Sequence, residues 1–131
     1  MLITRHQLQY RTINQVFRVA SSMRGGKGYT IYACEPTADE SRNDLRRDYI
    51  TCVIFKAGET RGLVLPIGSP IIHTQDHPWN EAAAARSAIS FASAPWCADD
   101  ANEKQWMEDN GDDLNNAAYN HRVLGSELRE S

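Results

Sequence analysis

The chain has 131 residues, 41% of them hydrophobic, with 14 Lys/Arg against 17 Asp/Glu for a formal net charge of -3. That length and apolar content suit one compact domain with an ordinary core; with eight glycines, five prolines and no repeated unit, they exclude a solenoid, a collagen-like chain or a disordered one. No apolar run approaches the roughly 20 residues that cross a bilayer, and MLITRHQLQYRT lacks the apolar stretch of a secretory leader, so a cytoplasmic protein without a membrane partner is expected.

The charge is unevenly spread. Residues 1–75 hold 10 Lys/Arg and 6 Asp/Glu (+4), whereas residues 76–131 hold 4 and 11 (-7). The single domain thus divides into a basic α/β half of about 1–75 and an acidic helical half of about 76–131. Such a split suits a nucleic-acid face, an acidic face for a basic partner, or halves that attract each other within a chain or between copies in a homo-oligomer. Cys34, Cys52 and Cys97 are odd in number and form no CxxC pair, so reduced, mostly buried thiols are expected rather than a disulfide framework or a zinc ribbon.

In chain order, Ile13, Val16, Phe17, Ala20 and Met23 recur at helical spacing and predict a helix from Thr4 or Thr12 to Met23, stopped by Gly25-Gly26. GYTIYAC reads as a strand that Pro36 ends. Residues 35–48 contain one large apolar side chain, Leu45, and read as a surface excursion. YITCVIFKAGETRGLVLPI predicts two strands joined through Ala57-Gly58-Glu59-Thr60. Both alternating sets of the first strand, residues 49–55, are largely apolar, which places it centrally with both faces covered. Pro66 and Pro70 confine the strands after that turn to short or edge positions. A helix is expected from Pro78 to about Ser93, built on Ala82 to Ala85 and closed by Pro95. The acidic remainder is expected to divide at Asn110-Gly111 into helices of about 99–109 and 112–129, the second burying Leu114, Ala117, Ala118, Leu124 and Leu128 and starting on Asp112 and Asp113. The fold class is α+β: a small, mainly antiparallel sheet with an N-terminal helix and two or three C-terminal helices packed on it.

The sharpest chemical feature is HTQDHPW, with His73 and His77 four residues apart and Asp76 beside the second. Two histidines share a metal at that spacing when both lie on one helix face. Pro78 disfavours helix at His77 and itself suits the first helical position, so the segment reads as a helix entry in which Asp76 or Thr74 takes up free N–H groups. No metal or cofactor is expected from it.

The other motifs fail on order or context. Arg24-Gly25-Gly26-Lys27-Gly28 follows an expected helix and precedes a strand, the reverse of a phosphate loop, although glycine N–H groups beside Arg24 and Lys27 suit an anion. Cys97 precedes Asp99 and Asp100, which oppose a thiolate, so it reads as structural. Asp109 to Asp113 contains part of a calcium loop's residues without its DxDxDG order or its closing Glu. Arg5, Arg11, Arg18 and Arg24, if helical, form one basic stripe, which a solvated helix face explains better than nucleic-acid contact. Of Trp79, Trp96 and Trp106, at least two are expected in the core.

These features favour a small non-enzymatic binding or regulatory protein. Its acidic helical surface, centred on Glu108, Asp109, Asp112 and Asp113, would engage a basic, nucleic-acid-handling protein partner, in the manner of inhibitors that phages and mobile elements encode. One alternative is a small-ligand, nucleotide or nucleic-acid binder using Arg18, Arg24, Lys27, Arg42, Arg46 and Arg47. Another is a small hydrolase or transferase centred on His73, Asp76 and His77.

Overall fold

The computed structural model describes residues 1–38, 40, 49–68, 80–120 and 129–130. Alternating apolar residues build the sheet. β1 (Leu2–Thr4), β2 (Ile13–Val19), β3 (Tyr29–Cys34), β4 (Ile50–Lys56), β5 (Arg61–Ile67) and the two-residue β6 (Arg129–Glu130) form a sheet of order β1-β5-β4-β3-β2-β6. Every neighbouring pair is antiparallel. The helices are α1 (Arg5–Leu8), α2 (Glu81–Ala92) and α3 (Ala101–Asn120), with a 3-10 turn at Pro95–Cys97. The α+β reading holds. Among the described residues no helix is long and apolar enough to cross a membrane.

Strand pleating splits the core into two layers, because successive side chains leave the sheet on opposite faces. On one face Phe17, Val19, Tyr29, Ile31, Cys52, Ile54, Leu63 and Leu65 pack with the α2 residues Ala84, Ala85, Ala88 and Ile89 and the α3 residues Trp106, Met107 and Leu114. On the other, Cys34, Val53, Phe55 and Val64 pack with Ile3 and with Leu8 of α1. β4 is central and buried on both faces, as its two apolar sets require, and it turns into β5 through Gly58 at φ +85°. That positive φ is why glycine stands in the turn.

Several expectations are corrected. The helix expected up to Met23 is a single turn, α1, followed by strand β2. Thr4 and Gln7 close a capping box around that turn, and Thr12 caps nothing; its carbonyl instead accepts from the Glu35 N–H at 2.9 Å. Residues 13–19 satisfy a period of 2 as well as 3.6, and pairing with β3 decides between them: Phe17 and Val19 are buried, whereas Ile13, Ala20 and Met23 are exposed. β5 is not short, and only its second half, where Pro66 stands, lacks a second strand partner among the described residues. Pro66 stands beyond Leu2↔Leu63, the last rung with β1, and Val64 donates to the Met1 carbonyl on that same side. The proline nitrogen therefore faces away from the β4 ladder, and no bond is lost.

α2 spans Glu81–Ala92 with Asn80 as its cap, the side-chain oxygen accepting from the Ala83 N–H at 2.9 Å. Residues 69–79, including Pro70, Pro78 and Trp79, lie outside the described residues. α3 runs without a break through Asn110-Gly111. The Asn110 amide donates to the Trp106 carbonyl at 3.0 Å one turn back, inside the helix. Gly111 is where α2 crosses: a Cβ on it would stand 2.3 Å from the Ala92 carbonyl oxygen. The glycine serves close packing between helices.

Candidate protein-binding surface

Helical periodicity sorts the carboxylates of the acidic segment into three roles. Asp100 caps α3: its side chain accepts from the Glu103 N–H at 2.8 Å and its carbonyl from the Lys104 N–H at 3.0 Å. Glu103 and Asp113 lie on the buried side with Trp106, Met107, Leu114 and Ala117. Glu103 meets the amino group of Met1. Glu108, Asp109 and Asp112 point outward, separated by one, three and four positions, so they share one exposed face. Lys104 sits 4.0 Å from Glu108, and Gln105 donates to Asp109 at 2.8 Å.

Asp113 is therefore a correction. Its carboxylate accepts from the Ser21 hydroxyl at 2.8 Å, the Ser22 N–H at 2.9 Å and the Tyr29 hydroxyl at 2.8 Å, and from the Ser22 hydroxyl as well. It ties α3 to the start of β3 and to the loop before it. Burial opposes its ionisation, but the bonds from Ser22, Ser21 and Tyr29 outweigh that and hold its carboxyl below the ordinary value. Burial, then the bond to Asp113, pushes the Tyr29 phenol up. Asp112 and Asp113 lie in mid-helix rather than at a helix start.

Two aromatic side chains of the helical layer also stand in the open. Trp96 is 80% exposed on the 3-10 turn, which packs against α3, and Phe91, near the end of α2, is 50% exposed. Trp106 is the core tryptophan of the described residues, its ring edge-on to Tyr29 with centroids 6.5 Å apart. An indole left in water, next to an acidic helix, is the usual composition of a contact anchor rather than of a core.

The basic residues fall out differently from the expected stripe. Arg5 lies on α1, Arg18 in β2, and Arg24 and Lys27 in the loop between β2 and β3, all exposed. Arg11 is buried in a two-pronged pair with Glu40, at 2.8 and 2.6 Å. Glu40 also accepts from the Thr51 hydroxyl at 2.7 Å and the Thr37 N–H at 3.0 Å. Burial opposes its charge, yet Arg11, Thr37 and Thr51 bring its carboxyl down to about 2. Thus the surface excursion is anchored inward at Glu40. Arg42, Arg46 and Arg47 lie outside the described residues.

His73, Asp76 and His77 also lie outside them, as does Thr74. Among the described residues no group of three or more His, Cys, Asp or Glu side chains is arranged to hold a metal. Cys34 and Cys52 are buried, and burial pushes their thiols up to about 11 and about 12; Cys97 is exposed. No family model, curated protein or solved structure matches this chain.

Proposed function

We propose that this is a small non-enzymatic binding protein whose surface of Glu108, Asp109, Asp112, Trp96 and Phe91 engages a basic patch on a protein partner. The observation that carries the reading is Trp96, four-fifths exposed on a turn packed against the acidic helix. Interface energy concentrates in a few aromatic anchors, whereas rim charges steer encounter and select the partner's sign. A basic groove that ordinarily holds a phosphate backbone suits such a face, which makes inhibition of a nucleic-acid-handling protein the favoured regulatory role. Asp113 takes no direct part, since its carboxylate is occupied inside the fold.

Cross-linking and mass spectrometry of partners captured by the wild-type protein test this. Trp96→Ala, and separately the triple reversal of Glu108, Asp109 and Asp112 to Lys, are each expected to abolish the same captured species while circular dichroism stays unchanged. Capture that survives both variants rejects the surface.

A further inference from the structure

Strand register gathers cations from distant parts of the chain at one end of the sheet. Thr4 pairs with Arg61, which puts Arg5 beside the start of β5. Lys56 ends β4 opposite Tyr29, the first residue of β3, and Tyr29 pairs in turn with Val19, the last residue of β2. The turn 57–60, the loop 20–28 and the start of α1 therefore share this end, with Arg5, Lys56, Arg61, Lys27 and Arg24.

Contacts draw this group together around the turn. The Arg5 guanidinium donates to the Glu59 carbonyl at 3.0 Å and the Lys56 carbonyl at 3.4 Å, and it lies 4.5 Å from the centre of the Phe55 ring. Lys27 reaches across from the β2–β3 loop, its ammonium 3.0 Å from where a Cβ on Gly58 would stand. Among the described residues, Glu59 lies in this turn, and Asp113 of α3 reaches this end with its carboxylate already satisfied by Ser21, Ser22 and Tyr29. Among the described residues no carboxylate forms an ion pair with Arg24, Lys27, Lys56 or Arg61.

We infer that this cationic rim is a second binding surface, distinct from the acidic helix, that takes the phosphodiester backbone of a nucleic acid. Four neighbouring strands about 4.8 Å apart place β1, β5, β4 and β3 across about 15 Å, or roughly four base steps of a duplex strand at about 3.4 Å each. Arginine forks and lysine ammoniums match phosphate oxygens, and backbone contact of this kind needs no base-reading groups. The turn AGET and the loop ASSMRGGKG carry no aromatic side chain, and Met23, 63% exposed, is the large apolar residue among them. The inference does not depend on the acidic-face reading, because the two surfaces share no residue.

Fluorescence anisotropy with a labelled 20-base-pair duplex of mixed sequence tests it. Binding is expected at low salt and should weaken roughly 100-fold between about 50 and 200 mM, as about four phosphate contacts require. Lys27→Ala and Arg61→Ala should each lower the slope of log affinity against log salt by about one, whereas Lys104→Ala on α3 should leave it unchanged. Circular dichroism confirms that the variants fold. Absence of low-salt binding overturns the inference, and so does an equal loss from Lys104→Ala, which reports charge without location. Sedimentation that shows low-salt dimers dissolved by Lys27→Ala and Arg61→Ala overturns it too, because the occupant is then the acidic helix of a second copy.

Discussion

Gly111 of α3 lies so close to the Ala92 carbonyl of α2 that a single added methyl would stand 2.3 Å from the oxygen and 2.9 Å from the Ser93 α-carbon. Alanine is the better helix former by about 1 kcal/mol, so an isolated α3 would gain from the exchange. In the folded protein both clashing groups are backbone and cannot rotate aside. Gly111→Ala is expected to destabilise by about 1–3 kcal/mol, the usual range for overpacking, as a lowered urea midpoint. A raised midpoint would show that the crossing is looser than this contact requires.

The pair Arg11–Glu40 sets a dependence on pH. The Glu40 carboxyl lies at about 2 in the folded protein against an ordinary 4.5, so its contribution is complete above the unfolded value and is lost as pH falls toward the folded one. Unfolding free energy should therefore decline from about pH 4.5 downward. Glu40→Gln should flatten that decline, leaving the part from Asp113, which has the same sign. Near neutral pH, Arg11→Ala strands a buried carboxylate and should cost about 3–5 kcal/mol, whereas Arg11→Met with Glu40→Leu should cost much less. Urea titrations at several pH values separate these cases.

Adjacent aspartates provide a contrast. Asp112 is exposed and Asp113 is bonded to three hydroxyls and a backbone N–H. Asp112→Ala should change stability by less than about 0.5 kcal/mol. Asp113→Ala should cost about 2–3 kcal/mol, because it removes charge-assisted bonds and leaves the Tyr29 hydroxyl without its acceptor. In the same variant the Tyr29 phenol should ionise at lower pH, as phenolate absorbance would report. Equal costs for the two substitutions would contradict the inward placement of Asp113.

Thiol reactivity follows burial. Cys34 and Cys52 are enclosed and held as thiols up to about 11 and about 12, while Cys97 is exposed beside Trp96. Native alkylation should add one adduct, at Cys97, and alkylation in denaturant should add three. Intact-mass and peptide analysis read both numbers. Rapid native labelling at Cys52 would mean that the helix layer opens readily from the sheet.

The sequence was most legible where one residue's neighbours decide its fate. The double apolar set of β4 announced a central strand, and AGET announced its turn, because pleat and turn chemistry act over a few residues. β2 was misread as helix because its apolar residues suit two periods, and only pairing with β3 chooses. Gly111 was misread as a break because the residue that needs its bareness, Ala92, belongs to another helix. The same distance hid half of the acidic site. Asp112 and Asp113 look alike in a string, and the partners that separate them, Ser21, Ser22 and Tyr29, lie 92, 91 and 84 residues away. Trp96 stands after Pro95 beyond a helix end, while Trp106 lies within the run of α3, and only packing shows that the first is exposed and the second buried.

Pro66 has a consequence beyond the sheet it belongs to. The ladder with β1 stops at Leu2↔Leu63 and Val64 donates to the Met1 carbonyl, so beyond Val64 the outer side of β5 has no strand partner among the described residues, and an unpaired edge of apolar residues is a template on which other chains can stack. At Pro66 the hydrogen-bond donor that such stacking needs is missing. The residue that costs nothing within the fold thus interrupts cross-β growth at that edge, and Pro66→Val should shorten the lag before fibrils form while leaving the monomer's stability nearly unchanged.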